Sequence, residues 1–126
     1  MNPCMAKGQS RPRRRKVWLP PLPSYVYSPI GDVPVFILPR EQMKDDKDPG
    51  SALAGYWAPR LRQIAIADDL EGAAAWTIFV HERTHMWLDD AGVDLPTEAE
   101  ERVCNVIATA TVAEMVAKAP TRPPRK

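Results

Sequence analysis

Two periodicities divide the chain. Between positions 25 and 67 apolar residues come in short runs separated by Pro, Gly and Asp; beyond position 70 they recur at three- and four-residue spacing. The first pattern belongs to strands and the second to helices. Tyr25-Val26-Tyr27 and Val33-Pro34-Val35-Phe36-Ile37-Leu38 read as strands, broken at Pro29-Ile30-Gly31-Asp32. Pro34 lacks a ladder donor and so belongs at a strand start or a sheet edge. The polar stretch 40–51 ends in Asp48-Pro49-Gly50, a turn signal, and has room for one short helix. Tyr56-Trp57 and Arg62 to Ala67 read as two strands around a turn at Ala58-Pro59-Arg60, with Ile64 and Ile66 on one face.

Asp68-Asp69-Leu70-Glu71 has the form of a helix start, Asp68 as N-cap and Glu71 three residues on. The spacing predicts a helix from about Leu70 to about Asp90, closed by Gly92. Thr97-Glu98-Ala99-Glu100 repeats the start signal after Pro96 and opens a helix with Val103, Val106, Ile107, Ala110 and Met115 at helical spacing, ended by Pro120. Strands first and two long helices after define an α+β fold: a small antiparallel sheet packed against both helices. Trp76 and Trp87 fall on the core side of the first helix, while Asp89 and Asp90 oppose its dipole and face either a cleft or water.

Composition changes this picture at the ends. The chain has 126 residues, 44% hydrophobic and 26% charged, enough for one domain with one core. Its net charge of +1 conceals a segregation. Positions 1–16 hold six bases (Lys7, Arg11, Arg13, Arg14, Arg15, Lys16) and positions 118–126 hold four (Lys118, Arg122, Arg125, Lys126), with no acid in either segment. Seven of the 17 bases remain in the middle against all 16 acids, a net −9. The expected organisation is a disordered basic tail over 1–16, a folded domain over 17–117 and a basic C-terminal tail over 118–126. Trp18 to Pro23 is a stiff, polyproline-like lead-in that packs Trp18 and Leu22 on the domain. The run Arg11–Lys16 has the charge for salt-sensitive contact with nucleic acid or another polyanion, opposed by the acidic middle. No apolar run approaches the ~18 residues of a membrane span, and the N-terminus has charge where a secretory signal has apolar residues. Two cysteines, Cys4 and Cys104, make no disulfide framework, so a reducing cytoplasm is the expected location.

The chemistry is concentrated in His81-Glu82-Arg83-Thr84-His85, an H-E-x-x-H pattern inside the first helix that uses both histidines of the chain. Residues four apart lie about 40° apart on a helix and one turn along. Two imidazoles can therefore converge on one Zn2+, with the Glu82 carboxylate beside them and within reach of water. A catalytic zinc site takes three protein ligands, and with no further histidine the third is a carboxylate or a thiolate. The next helix offers Glu98, Glu100, Glu101 and Cys104. Glu101 is preferred, with Glu98 next, because it shares a helix face with Cys104, Asn105 and Ala108, the small-residue side able to press on the first helix. Asn105 is a candidate hydrogen-bond partner for a ligand, and Cys104 a packing residue.

HERTH, a short acidic loop and a helix reading E-x-x-C-N-x-I-A from Glu101 together resemble the compact gluzincin-type zinc metallopeptidases. These include the minigluzincins and the ImmA/IrrE-type proteins frequent in phages and mobile elements, and the likeness covers roughly residues 33–117. It implies a zincin-like fold, His81, His85 and Glu101 as zinc ligands, and Glu82 as general base. It further implies a peptide or protein substrate aligned along the strand near Ile64–Ala67, and a place in a host cytoplasm or a virion. Peptidases of this class often carry a His or Tyr beyond the Glu helix to stabilise the oxyanion; here there is none, and Tyr56, Arg60 and Arg62 are the alternatives. The expected activity is therefore zinc-dependent peptide hydrolysis. The alternative is a catalytically weak protein of the same fold, a regulator or phage structural component, touching nucleic acid through its tails.

Overall fold

The computed structural model describes residues 16–45 and 48–125. The basic tail expected over 1–16 lies, but for Lys16, outside the described residues. Six strands and two helices follow in order: β1 (Tyr25–Val26), β2 (Val33–Leu38), a 3-10 turn (Arg40–Gln42), β3 (Lys44–Asp45), β4 (Asp48–Ala52), β5 (Gly55–Ala58), β6 (Gln63–Ala67), α1 (Gly72–Asp90) and α2 (Thr97–Lys118). The fold is α+β, but its main sheet is mixed and not wholly antiparallel: the order is β1-β2-β6-β5, and β2 pairs β6 in parallel. A parallel pair needs a long crossover, and residues 39–62 supply it. Pro34 sits at the start of β2, opposite Tyr25, as its missing donor requires. Asp48-Pro49-Gly50 forms part of β4; Asp48 is already the antiparallel partner of Asp45, so the chain has reversed before the expected turn.

β6 is the centre of the molecule. Ile64 and Ile66 point to the helices and join Val26, Val33, Phe79, Val80, Met86, Ala108 and Val112 in the main core. Ala65 and Ala67 face the other way, under Met43, Leu38, Leu53 and Tyr56. Both faces are thus covered, and small alternating residues on the second face let the hairpin side approach closely. Gly55 on β5 makes the corresponding contact with α1: a Cβ there would run into Ile78 Cγ2 and come within 3.2 Å of the Ala65 carbonyl.

α1 begins one half-turn later than the sequence signal. Asp68 donates its N–H to the Leu38 carbonyl (2.8 Å) and Asp69 holds the Arg40 guanidinium at 2.8 Å, so neither caps, and the N-cap is Glu71. The other end follows expectation. Gly92 takes φ +72°, its N–H bonds the Asp89 carbonyl (3.1 Å) and that of Val93 the Leu88 carbonyl (2.9 Å), a Schellman closure. α2 starts at Thr97 with Pro96 as N-cap and no side-chain cap bond. Its inward face is the small-residue side expected to press on the first helix. Cys104, Ala108 and Val112 are buried, whereas Val106 is 67% and Ile107 39% exposed and Ala110 faces solvent. Small residues let α2 lie close on α1, and that contact, not the bulk of Val and Ile, fixes its rotation.

Trp76 packs on the core and donates its indole N–H to the Pro20 carbonyl at 2.7 Å, which ties the Pro-rich lead-in down. Trp87, expected in the core, is 41% exposed and donates to the Tyr27 carbonyl at 3.1 Å. Between Phe79 and Trp87 lies the Arg83 guanidinium, 5.4 Å and 4.5 Å from the two ring centroids. Its Nε is buried without a hydrogen-bond partner, and burial pulls its pKa down. At the start of the described chain, Trp18 N–H bonds the Pro120 carbonyl at 2.7 Å, so the two ends of the domain meet. No helix among the described residues is long and apolar enough to cross a membrane.

Candidate metal centre

α1 presents His81 and His85 on the side facing β5 and the first turns of α2. Their rings meet edge to face with centroids 4.8 Å apart, and their Nε2 atoms lie 3.1 Å from each other. Glu101, from α2, closes the group: one carboxylate oxygen is 3.2 Å from His81 Nε2 and the other 2.9 Å from His85 Nε2. Four ligands at ~2.0–2.1 Å from a tetrahedral zinc are about 3.3 Å apart along each edge. The three observed contacts, 2.9–3.2 Å, use both Glu101 oxygens; taken as one ligand atom from each residue, the three atoms all lie within 4.8 Å of one another, close enough to share one ion. The donor set, two imidazoles and a carboxylate, suits a zinc-like divalent ion.

The remaining ring nitrogens are held as a ligand set requires. His85 Nδ1 lies 2.6 Å from a Glu100 carboxylate oxygen, an arrangement that fixes the ring and turns Nε2 toward the centre. His81 is hydrogen-bonded by Asn105, the role the helix face suggested. Burial depresses the His81 pKa and works against His85 as well, but Glu100, Glu82 and Glu101 outweigh it and raise His85. Glu82 lines the same cleft as the two rings. Burial is the main reason that its carboxyl is pushed up to about 7, against the pull of His85 and the backbone N–H of Trp57, which donates to it.

Among the described residues, His81, His85 and Glu101 are the group of side chains able to hold an ion. Glu98 is exposed and outside it. Glu100 addresses the back of His85 and not the centre. Cys104 is fully buried, and burial with the surrounding acids pushes its thiol up to about 12, so it packs and does not ligate as a thiolate. The rings and carboxylates open onto a polar cleft of about 390 Å3, walled by Gly55, Tyr56 and Trp57 of β5. A second cleft of about 360 Å3, under the Pro-rich lead-in beside Trp76, is apolar, and Glu71 is the one titratable side chain lining it.

The strand bordering the centre corrects an expectation. β6, given the peptide-aligning role from the resemblance, is paired on both edges. β5 is the edge strand. Ala54 accepts from Ala67 N–H toward β6, so by alternation Gly55 and Trp57 turn their backbone groups outward, one of them already bonded to Glu82. Of the three candidate oxyanion groups, Tyr56 borders the cleft through its strand but packs its ring with Ala65 and Ala67 on the face turned away from the helices, and Arg60 is exposed. Arg62 is held by Asp90 through two N–H bonds of 2.8 and 3.0 Å. Asp90 also accepts from the Ser28 hydroxyl, and Asp89 from the Trp57 indole at 2.7 Å. The two acids at the end of α1 therefore fasten the sheet to the helix. The parts the sequence reading missed are Trp57, whose backbone and indole each hold an acid of α1, and the Glu100 bond to His85. Adjacency of Glu100 and Glu101 was the available signal, since neighbours on a helix diverge by about 100° and can address two different atoms. Comparison with known protein families, with characterised proteins and with solved structures found no match for this chain.

Proposed function

We propose that the protein is a zinc-dependent metallopeptidase of the gluzincin type, with His81, His85 and Glu101 as ligands. The observation that supports this reading is the convergence of one ligand atom each from His81, His85 and Glu101, all within 4.8 Å of one another, beside a half-buried glutamate on an open cleft. When bound, the ion supplies Lewis-acid polarisation of a carbonyl and acidifies water in the cleft. Glu82, fixed by the Trp57 amide, takes a proton from water at its free carboxylate oxygen and hands it to the leaving amine. The outward groups of Gly55 and the carbonyl of Trp57 on the β5 edge bind the backbone of an extended peptide across that cleft.

The test is metal analysis of untagged protein together with peptide-library cleavage. One zinc per chain is expected in the wild type and in Glu82→Gln, with turnover in the variant lower by about 10²–10⁴-fold, while His81→Ala loses the metal. Full activity in Glu82→Gln, or no bound metal in the wild type, would end the assignment. A second reading, a metal-holding protein that binds peptide without cutting it, is favoured by the capture of Arg62 by Asp90. With Arg62 so held and the Tyr56 ring packed on the Ala65–Ala67 face of the sheet, neither is free to stabilise an oxyanion, so an inactive wild type that still binds extended peptides selects this reading.

A further inference from the structure

α1 holds an unsatisfied cation on the side away from the metal centre. Two residues beyond His81 the helix has turned through about 200°, so Arg83 faces away from the imidazoles. Among the described residues three arginines are half-buried: Arg40, Arg62 and Arg83. Asp69 pairs with the first and Asp90 with the second, both at 2.8 Å. Arg83 has neither an ion pair nor a hydrogen bond to any described residue. The other described arginines (Arg60, Arg102, Arg122 and Arg125) are exposed, where water serves their donors.

The surroundings hold this guanidinium still without neutralising it. Phe79 and Trp87, one turn to either side, place their ring centroids 5.4 Å and 4.5 Å from it, and such stacking orients the guanidinium plane. Nε is buried without a partner; the two Nη atoms also lack one but are not buried, so the outer edge of the fork meets open space. Asp90, two turns along the same face of α1, is already held by Arg62 and Ser28. A charge withdrawn from water and left unpaired is costly, and an unsatisfied group of this kind is where a bound ion belongs. Two parallel N–H donors in one plane match the two oxygens of a carboxylate. A lone cation within a stretch (17–117) of net −9 works against polyvalent anions. Trp87, 41% exposed, and Tyr27, 80% exposed, whose carbonyl accepts the Trp87 indole N–H, offer apolar surface beside the fork.

We propose that Arg83, held between Phe79 and Trp87, is the receptor for a single carboxylate borne on an apolar or aromatic body. The site uses no metal ligand and lies across α1 from the histidines, so the inference stands apart from the peptidase reading. The test is a titration of the full chain with sodium benzoate at constant ionic strength, followed by calorimetry and by the Arg83 Nε–H proton resonance, which separates this site from the metal centre. Benzoate saturates with a dissociation constant of about 1 mM or tighter and moves that resonance. Acetate, which lacks the ring, binds about tenfold more weakly, and inorganic phosphate more weakly than benzoate. Arg83→Lys keeps the charge without the fork and weakens benzoate by about tenfold or more, with the far-UV circular dichroism unchanged. Trp87→Leu, at a more exposed position, is the second variant should the first fold poorly, and it too lowers benzoate affinity. Absence of saturable benzoate binding, binding that leaves the Nε–H resonance in place or is indifferent to both variants, or phosphate held more tightly than benzoate would overturn the proposal.

Discussion

Glu100 and Glu101 are neighbours in sequence and do different work. Glu101 faces both imidazole Nε2 atoms, while Glu100 grips the far nitrogen of His85 at 2.6 Å. A carboxylate behind a histidine fixes its tautomer and raises its basicity as a ligand. Glu100→Ala is therefore expected to weaken zinc affinity by about 10–100-fold while leaving one metal per chain at saturation; competition with a chromophoric chelator measures this. An unchanged affinity would show that the Glu100 bond has no bearing on the metal. Legibility at this scale followed chemistry. H-E-x-x-H specifies a face of one helix, so His81, Glu82 and His85 could be placed from spacing alone, and Glu101 from the small residues beside it. The Trp57 contacts could not be read, because a backbone amide reaching a side chain on another element leaves no mark on residue type.

At the scale of elements, two joints hold the centre in place. Gly55 brings β5 against α1 where Ile78 leaves no room for a Cβ. Gly55→Ala pushes the strand away from the helix and is expected to cost roughly 1–3 kcal/mol in a urea titration. It should also lower turnover, since β5 carries the amide that holds Glu82. The second joint is Asp90, 4% exposed, gripped by Arg62 and Ser28. These partners, Arg62 foremost, hold its carboxyl below the ordinary 3.8. A lowered carboxylate stabilises the fold fully above that ordinary value, and the contribution is lost as pH falls through the lowered one. Asp90→Asn should thus lower Tm at pH 7, with the gap to wild type narrowing as pH drops below 3.8. A gap that is constant with pH would contradict it.

The same scale shows which of its faces α2 turns inward. It has two apolar faces, and hydrophobicity favours the one with Val and Ile. The fold uses Cys104, Ala108 and Val112 instead, since only small residues admit the approach that brings Glu101 to the histidines. Strand existence was legible for β2, β5 and β6, while the parallel pairing of β2 with β6 was not. Direction depends on the path of the crossover, which local periodicity does not encode.

For the molecule as a whole, the meeting of Trp18 with Pro120 has a topological consequence. A domain whose ends touch is held by its contacts and not by the order in which its pieces are strung. A circular permutant, joined from Arg125 to Lys16 by a short Gly/Ser linker and reopened between the exposed Val93 and Asp94, is expected to fold to the same far-UV spectrum and melt cooperatively. Loss of the cooperative melt would mean that the α1–α2 connection directs assembly. A permutant that folds would carry both helices at opposite termini, free to be fused or tethered independently of each other.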